Sequence, residues 1–286
     1  MKTYLSVITT DDYAIGAVAL WESLRATRAQ YGLVVVITRN VSQPCERSLQ
    51  RAGLTTLRVD QQLQRTRGSD RALRHWDNTF SKLLMFEMVQ FERIVYLDGD
   101  ILVLRNLDHL FERPHMSAAV PDRLMPGHES WVQLCSALMV IEPQAGLASA
   151  IMRHVPTVEA KMKSFSDQDL LHEQFPDWPS HPELELNQGY GIFPDSIDRY
   201  VKQFGYNLNF APPDERTIAA VHFVGSRKPW SWSAAERARR LMKYTLTGRP
   251  IATRLLRQYL GLLQTARGSI AGNRLLEDGT GGQRPD

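Results

Sequence analysis

The chain has 286 residues, 43% of them hydrophobic, a net charge of +3 and two cysteines. That length can bury a full core as one large domain, whereas two cysteines cannot make a disulfide framework and fit a reducing compartment. No run approaches the roughly 18–20 consecutive apolar residues of a spanning helix, and the first ten residues lack a signal-peptide pattern; a cytoplasmic protein is expected, with any membrane association confined to its surface.

Short apolar runs alternate with helical patterns through the first half, the signature of βα units: an α/β fold with a mostly parallel sheet flanked by helices. Residues 5–9 read as the first strand, and 33–38 (LVVVIT), an unbroken β-branched run, as a buried one. Between them Ile15, Val18, Ala19, Trp21 and Leu24 fall at helical spacing, with Asp11 or Asp12 as the cap. Residues 43–52 are expected as a helix, 55–59 as a third strand, and 79–90 as a helix with Phe80, Leu83, Leu84 and Met88 inward. The strand 93–97 (RIVYL) ends on Asp98-Gly99-Asp100, followed by a further apolar run, 101–104. Farther on, 117–120, 137–141 and 218–224 read as strands, and 144–154 and 167–175 as helices. Two long helical patterns, 234–246 and 251–263, close the chain with Gly248 and Pro250 between them. The expected organisation is an α/β domain over 1–232, a basic helical segment over 233–270 and a disordered, Gly-rich tail over 271–286.

Charge divides the chain near Gly225: residues 1–225 carry 22 Lys and Arg against 27 Asp and Glu, and residues 226–286 carry 12 against 4. The basic end reads either as solvated helices or as a face for an anionic partner. In the last helical pattern Ile251, Leu255, Leu256, Tyr259, Leu260 and Leu263 form an apolar stripe, with Arg254 and Arg257 off it. Packing of that stripe on the domain is the expectation, leaving a positive face that suits peripheral contact with an anionic membrane. No nucleic-acid partner is expected.

Asp98-Gly99-Asp100 sets two carboxylates around a glycine directly after a buried strand. Such oxygens suit Mg²⁺ or Mn²⁺, ions that keep positions open for substrate phosphates, and ligands of α/β sheets bind at the carboxyl ends of strands. A solvated Asp-Gly turn is the plain alternative. His222, near the end of the strand 218–224, is a second candidate metal ligand, and the following Gly225 and Lys228 suit a phosphate. Ser166-Asp167-Gln168-Asp169 opens a helix and reads first as a cap, second as a pair of groups facing a sugar.

Together, Leu97-Asp98-Gly99-Asp100, Asp167-Gln168 and the run from His222 to Trp230 (HFVGSRKPW) resemble the retaining glycosyltransferases of family 8, the glycogenin and galactinol synthase group. Tyr96 to Asp100 followed by Asn106 to Phe111 (NLDHLF) strengthens the likeness, which runs from the first strand to Trp230. The resemblance implies a GT-A fold, a UDP-sugar donor, Mn²⁺ with Mg²⁺ as the alternative ion, and hexosyl transfer with retention. It implies Asp98, Asp100 and His222 as metal ligands, with Gly99 between them. Ile8, Thr9, Thr10 and Tyr13 would line the uridine site, Arg74 and Lys82 would meet the donor, and Ser136, Asp167 and Gln168 would hold the sugar. Gly225 and Lys228 would take the diphosphate, making Asp167, Gln168 and Lys228 the expected catalytic groups. Two departures stand out. Cys135-Ser136-Ala137 replaces the family's Asn, Ser or Ala, Gly, removing an amide that would bind a sugar hydroxyl. The interval 209–221 holds no tyrosine, so a separate glycan, glycolipid or small polyol acceptor is expected in place of self-glycosylation. Two rival readings are a HAD-like phosphatase, sharing the strand and Asp-x-Asp, and a non-catalytic nucleotide- or carbohydrate-binding protein.

Overall fold

Strands form where β-branched, aromatic and aliphatic residues dominate short runs between polar breaks. In the computed structural model, which describes residues 1–60, 63 and 79–280, four such runs are β1 (Lys2–Ile8), β2 (Leu33–Thr38), β3 (Thr55–Val59) and β4 (Arg93–Leu97). They pair in parallel in the order β3-β2-β1-β4. Past β4 the sheet turns mixed. Strand β7 (Leu138–Ile141) pairs antiparallel with β4, β6 (Ala118–Ala119) antiparallel with β7, and β8 (Glu185–Leu186) parallel with β6. A second sheet has β10 (Ala220–His222) at its centre, antiparallel to β5 (Ile101–Val103) and parallel to β9 (Tyr190–Ile192).

The two-residue period of the strands splits the core between two faces. Tyr4, Ile8, Val35, Ile37, Val95 and Leu97 point to one side, where α1 (Ala14–Ala26) and α2 (Gln43–Arg51) cover them. Leu5, Val34, Val36, Ile94 and Tyr96 point to the other, against the segment 79–87, α3 (Leu147–Met152), α4 (Val155–Lys161) and α5 (Asp167–Gln174). Helices α6 (Ile197–Phe204), α7 (Ala234–Leu246) and α8 (Pro250–Thr280) complete the chain.

Three expectations change. Residues Thr79–Glu87 form 3-10 turns, not an α-helix, because Leu83, Leu84, Met85 and Phe86 are all buried and no solvent face remains for a periodic stripe. Asp11 does not cap α1. Its carboxylate accepts hydrogen bonds from the Ser42 amide at 2.8 Å and hydroxyl at 2.7 Å, tying the end of β1 to the start of α2. Helix α8 runs on to Thr280, past the onset of the expected tail at 271, since Asn273-Arg274-Leu275-Leu276-Glu277 contains good helix formers and no proline. The stripe of the last helix packs as expected: Leu255, Leu256, Tyr259 and Leu263 of α8 are buried in the core they share with α1 and α2, while Arg254 and Arg257 stay exposed.

Candidate active site

The carboxylates of Asp98 and Asp100 come together because β4 ends in a tight turn, in which the Ile101 amide donates to the Asp98 carbonyl at 3.1 Å. Gly99 is not what permits that turn: it has no left-handed φ, and an added Cβ would meet the Ala17 nitrogen at an ordinary 3.7 Å. The demanding position is Gly16 in α1, where a Cβ would lie 2.6 Å from the Trp230 ring and 2.8 Å from the Gly99 carbonyl oxygen. A bare glycine therefore lets α1 sit directly against the turn. From behind, Tyr259 of α8 donates to the same Gly99 carbonyl at 3.3 Å and stacks on Phe223. Antiparallel pairing of β10 with β5 sets His222 opposite Ile101, and the Phe223 amide donates to the Asp100 carbonyl at 3.0 Å. A histidine more than a hundred residues away thus joins the turn.

Asp98, Asp100 and His222 present ligand atoms that all lie within 4.8 Å of one another. Asp100, 2% exposed, meets Lys228 Nζ at 2.7 Å through Oδ2 and His222 Nε2 at 3.4 Å through Oδ1. Burial alone would raise the Asp100 pKa, but the adjacent His222 and Lys228 hold it well below the usual carboxylate range. For His222 burial disfavours the charged ring, yet Asp100 outweighs it and lifts the pKa to about 10; the Cys135 thiol acts in the same direction. The Nδ1 atom of this buried imidazole has no hydrogen-bond partner. Two carboxylates, an imidazole and an unsatisfied buried ring nitrogen fit a divalent ion of the Mn²⁺ type, since imidazole shifts a carboxylate site toward transition metals.

A second charged knot lies beside the first. Lys82 Nζ, from the 79–87 turns, meets Asp98 Oδ2 at 3.0 Å, Asp167 Oδ2 at 3.2 Å and Ser136 Oγ at 3.1 Å. Burial works against its charge, but Asp167 and Asp98 raise its pKa overall. Tyr96 donates to Asp98 Oδ1 at 2.7 Å, a partner the sequence signalled only through the period-2 rule that puts residues 96 and 98 on one face. Asp167 opens α5 and is buried, but the capping box there uses Ser166 and Asp169, leaving Asp167 for Lys82. The Ser136 amide donates to Gln168 Oε1 at 3.2 Å, which leaves the Gln168 amide group to face a ligand.

A cavity of about 700 Å³ opens onto both knots, lined by Tyr13, Lys82, Asp98, Ser136, Asp167, Gln168, His222, Gly225 and Lys228, and also by Cys135 and Phe193. Gly225 takes φ 147°, a region that favours glycine, so that the backbone turns at the cavity mouth. Lys228 is not an ordinary surface lysine: it is ion-paired and 24% exposed. Ile8 ends β1 and Thr9 and Thr10 follow it, but none of the three lines this cavity, and Arg74 lies outside the described residues. Phe193, just after β9, packs at 5.8 Å from the His222 ring; no local sequence signal marks it.

The glycosyl transferase family 8 model matches residues 4–145 of the chain. Among curated proteins, the chain is 28% identical over 221 residues to UDP-glucuronate:xylan alpha-glucuronosyltransferase 1 of Arabidopsis thaliana, covering 76% of this chain and 30% of that protein. It is 30% identical over 252 residues to glycogenin-1 of Caenorhabditis elegans, covering 82% and 52%. The chain thus spans a third to a half of the length of these relatives. Among solved structures, the galactosyltransferase LgtC in complex with donor and acceptor sugar analogs aligns with TM-score 0.61 at 15% identity, over 93% of this chain and 96% of that one. GlyE of Streptococcus pneumoniae aligns with TM-score 0.54 at 17% identity, over 89% and 63%. The fold is GT-A, which places the Asp-x-Asp turn in a glycosyltransferase sheet and not in a HAD-type one.

Proposed function

The chain belongs to glycosyltransferase family 8, and from that premise we propose that it transfers a hexosyl group from a UDP-sugar to a separate acceptor, with retention at the anomeric carbon. The observation that carries the reading is the convergence of Asp98, Asp100 and His222 with Lys228 at the edge of one sugar-sized cavity. Asp98, Asp100 and His222 would hold Mn²⁺, or Mg²⁺, which when bound supplies positive charge to the diphosphate. Lys228 adds a protein cation there, and Gly225 lets the backbone approach the phosphates. Tyr13, whose amide donates to the Thr10 carbonyl at 3.2 Å, lines the cavity and is assigned to uridine together with Ile8, Thr9 and Thr10, and Arg74 is assigned to the donor. Lys82, Ser136, Asp167 and Gln168 hold the sugar.

A fixed donor aimed at developing charge is typically worth about 2.7–4 kcal/mol, so Lys228 accounts for a large part of what the protein itself contributes to leaving-group departure. Asp167 is neutralised by Lys82 at 3.2 Å, which suits orienting the sugar better than attacking it as a nucleophile. Without acceptor, wild-type protein should release UDP slowly from one of UDP-glucose, UDP-galactose, UDP-glucuronate or a UDP-N-acetylhexosamine, and only with Mn²⁺ or Mg²⁺. Failure of every one of these donors to bind or turn over with metal present would reject the reading.

The basic end supports a second part of the proposal, contact with an anionic, acceptor-bearing surface. No helix among the described residues is long and apolar enough to cross a membrane. Exposed Met242 and Leu246 on α7 lie among Arg239 and Lys243, and Arg254 and Arg257 project from α8. Each basic residue near an anionic bilayer contributes about 1 kcal/mol, so the full chain should cosediment with anionic vesicles at low salt and detach at high salt. Equal binding to neutral vesicles, or none to either, would leave these charges merely solvated.

A further inference from the structure

One wall of the cavity carries none of the residues assigned to the donor. Trp131 and Val132, 44% and 37% exposed, stand together on its rim, and Ser130 and Gln133 beside them also face it. An exposed tryptophan on a cleft rim is a departure from its usual burial and marks a binding surface.

This tryptophan is held in place. Its ring lies flat on the His128 imidazole, with centroids 3.7 Å apart and planes 6° from parallel. His128 Nδ1 is 3.0 Å from the Asp122 carbonyl oxygen, and the Trp131 amide donates to the His128 carbonyl at 2.8 Å. At the foot of the loop Asp122 adopts φ 61°, and the Ser196 hydroxyl donates to its carboxylate. His172 of α5, 2.8 Å from the Leu134 carbonyl oxygen, fixes the other end. One face of the indole is covered by His128, and the exposed remainder borders the cavity. Next along the chain, Gln133 Oε1 is buried without a hydrogen-bond partner. An amide oxygen left so costs about 1–3 kcal/mol, which a ligand hydroxyl would relieve.

We infer that Trp131 is the platform of the acceptor subsite and that the acceptor is a saccharide. A pyranose ring offers a flat face of C–H bonds to the electron-rich indole, and hydroxyls at its edge that can donate to Gln133 Oε1. An acyclic polyol has no such face. The inference rests on the glycosyl-transfer reading, and adds the class of the acceptor and the residue that selects it.

Lactose, maltose and xylobiose serve as probes, each added to the full chain with UDP and Mn²⁺ and followed by saturation-transfer NMR. At least one should give ring-proton signals; Trp131→Ala should weaken its binding at least about tenfold, whereas Trp131→Phe stays within about threefold, as a stacking role requires. UDP affinity should be unchanged in both variants, since Trp131 is not among the residues assigned to the donor. The inference is overturned if Trp131→Ala binds the probes as wild type does, or if none of them binds while UDP does. If UDP itself does not bind the wild-type chain, the transferase reading fails and takes this inference with it.

Discussion

Replacing Asp100 with asparagine is expected to abolish the dependence of UDP binding on a divalent ion and to weaken that binding at least about 100-fold, since losing even an outer partner of a metal ligand costs about 10–100-fold. The carboxylate is buried, and both of its oxygens are engaged, one by Lys228 and one by His222. Asparagine preserves the shape and removes the charge. Burial then acts on His222 with its main anionic partner gone, so the imidazole sheds its proton and limits the cost to the fold. Calorimetry of UDP with and without Mn²⁺ separates the outcomes, with the thermal midpoint of the metal-free protein as a control on folding. Equal UDP affinity and equal Mn²⁺ dependence in the variant and the wild type would remove Asp100 from the metal site.

The sequence makes parts of this arrangement legible and hides others. Strands β2, β3 and β4 and helix α7 fall at the expected bounds because each is a run of one periodicity bounded by polar or turn residues. Strand β9 escapes notice: three residues with a central glycine carry no pattern, and Tyr190–Ile192 becomes a strand only by pairing with β10. Helix α6 is missed too, although Ser196 and Asp198 ahead of Tyr200 resemble a helix start. Within the site, Asp98 and Asp100 announce themselves locally. His222 is marked locally only as a candidate near a strand end, and its meeting with them is decided by the antiparallel pairing of β5 and β10. Lys82 belongs to a segment whose turn type depends on burial from all sides, so its approach to Asp98 and Asp167 is likewise tertiary information.

Lys228→Ala is the second variant with a large expected effect, a fall in turnover of about 10² or more, because the departing diphosphate loses its protein cation. The ammonium lies 2.7 Å from Asp100 Oδ2, so it shares with His222 the neutralisation of the most deeply buried acid of the site. Truncation therefore acts on stability as well as on rate, unlike the loss of a surface lysine. His222 remains in place, and the lysine side chain is partly exposed, which keeps the stability loss near 1 kcal/mol. A divalent ion bound to Asp100 would supply the missing charge, so Mn²⁺ should raise the melting temperature of the variant more than that of the wild type. The rate, by contrast, should stay low at saturating Mn²⁺ if Lys228 has the leaving-group role proposed for it, since an ion at Asp98, Asp100 and His222 would not replace that cation. Steady-state rates at saturating donor, measured beside thermal melts with and without Mn²⁺, read both effects. Activity within about threefold of wild type corresponds to less than 1 kcal/mol of barrier and would strip Lys228 of its leaving-group role.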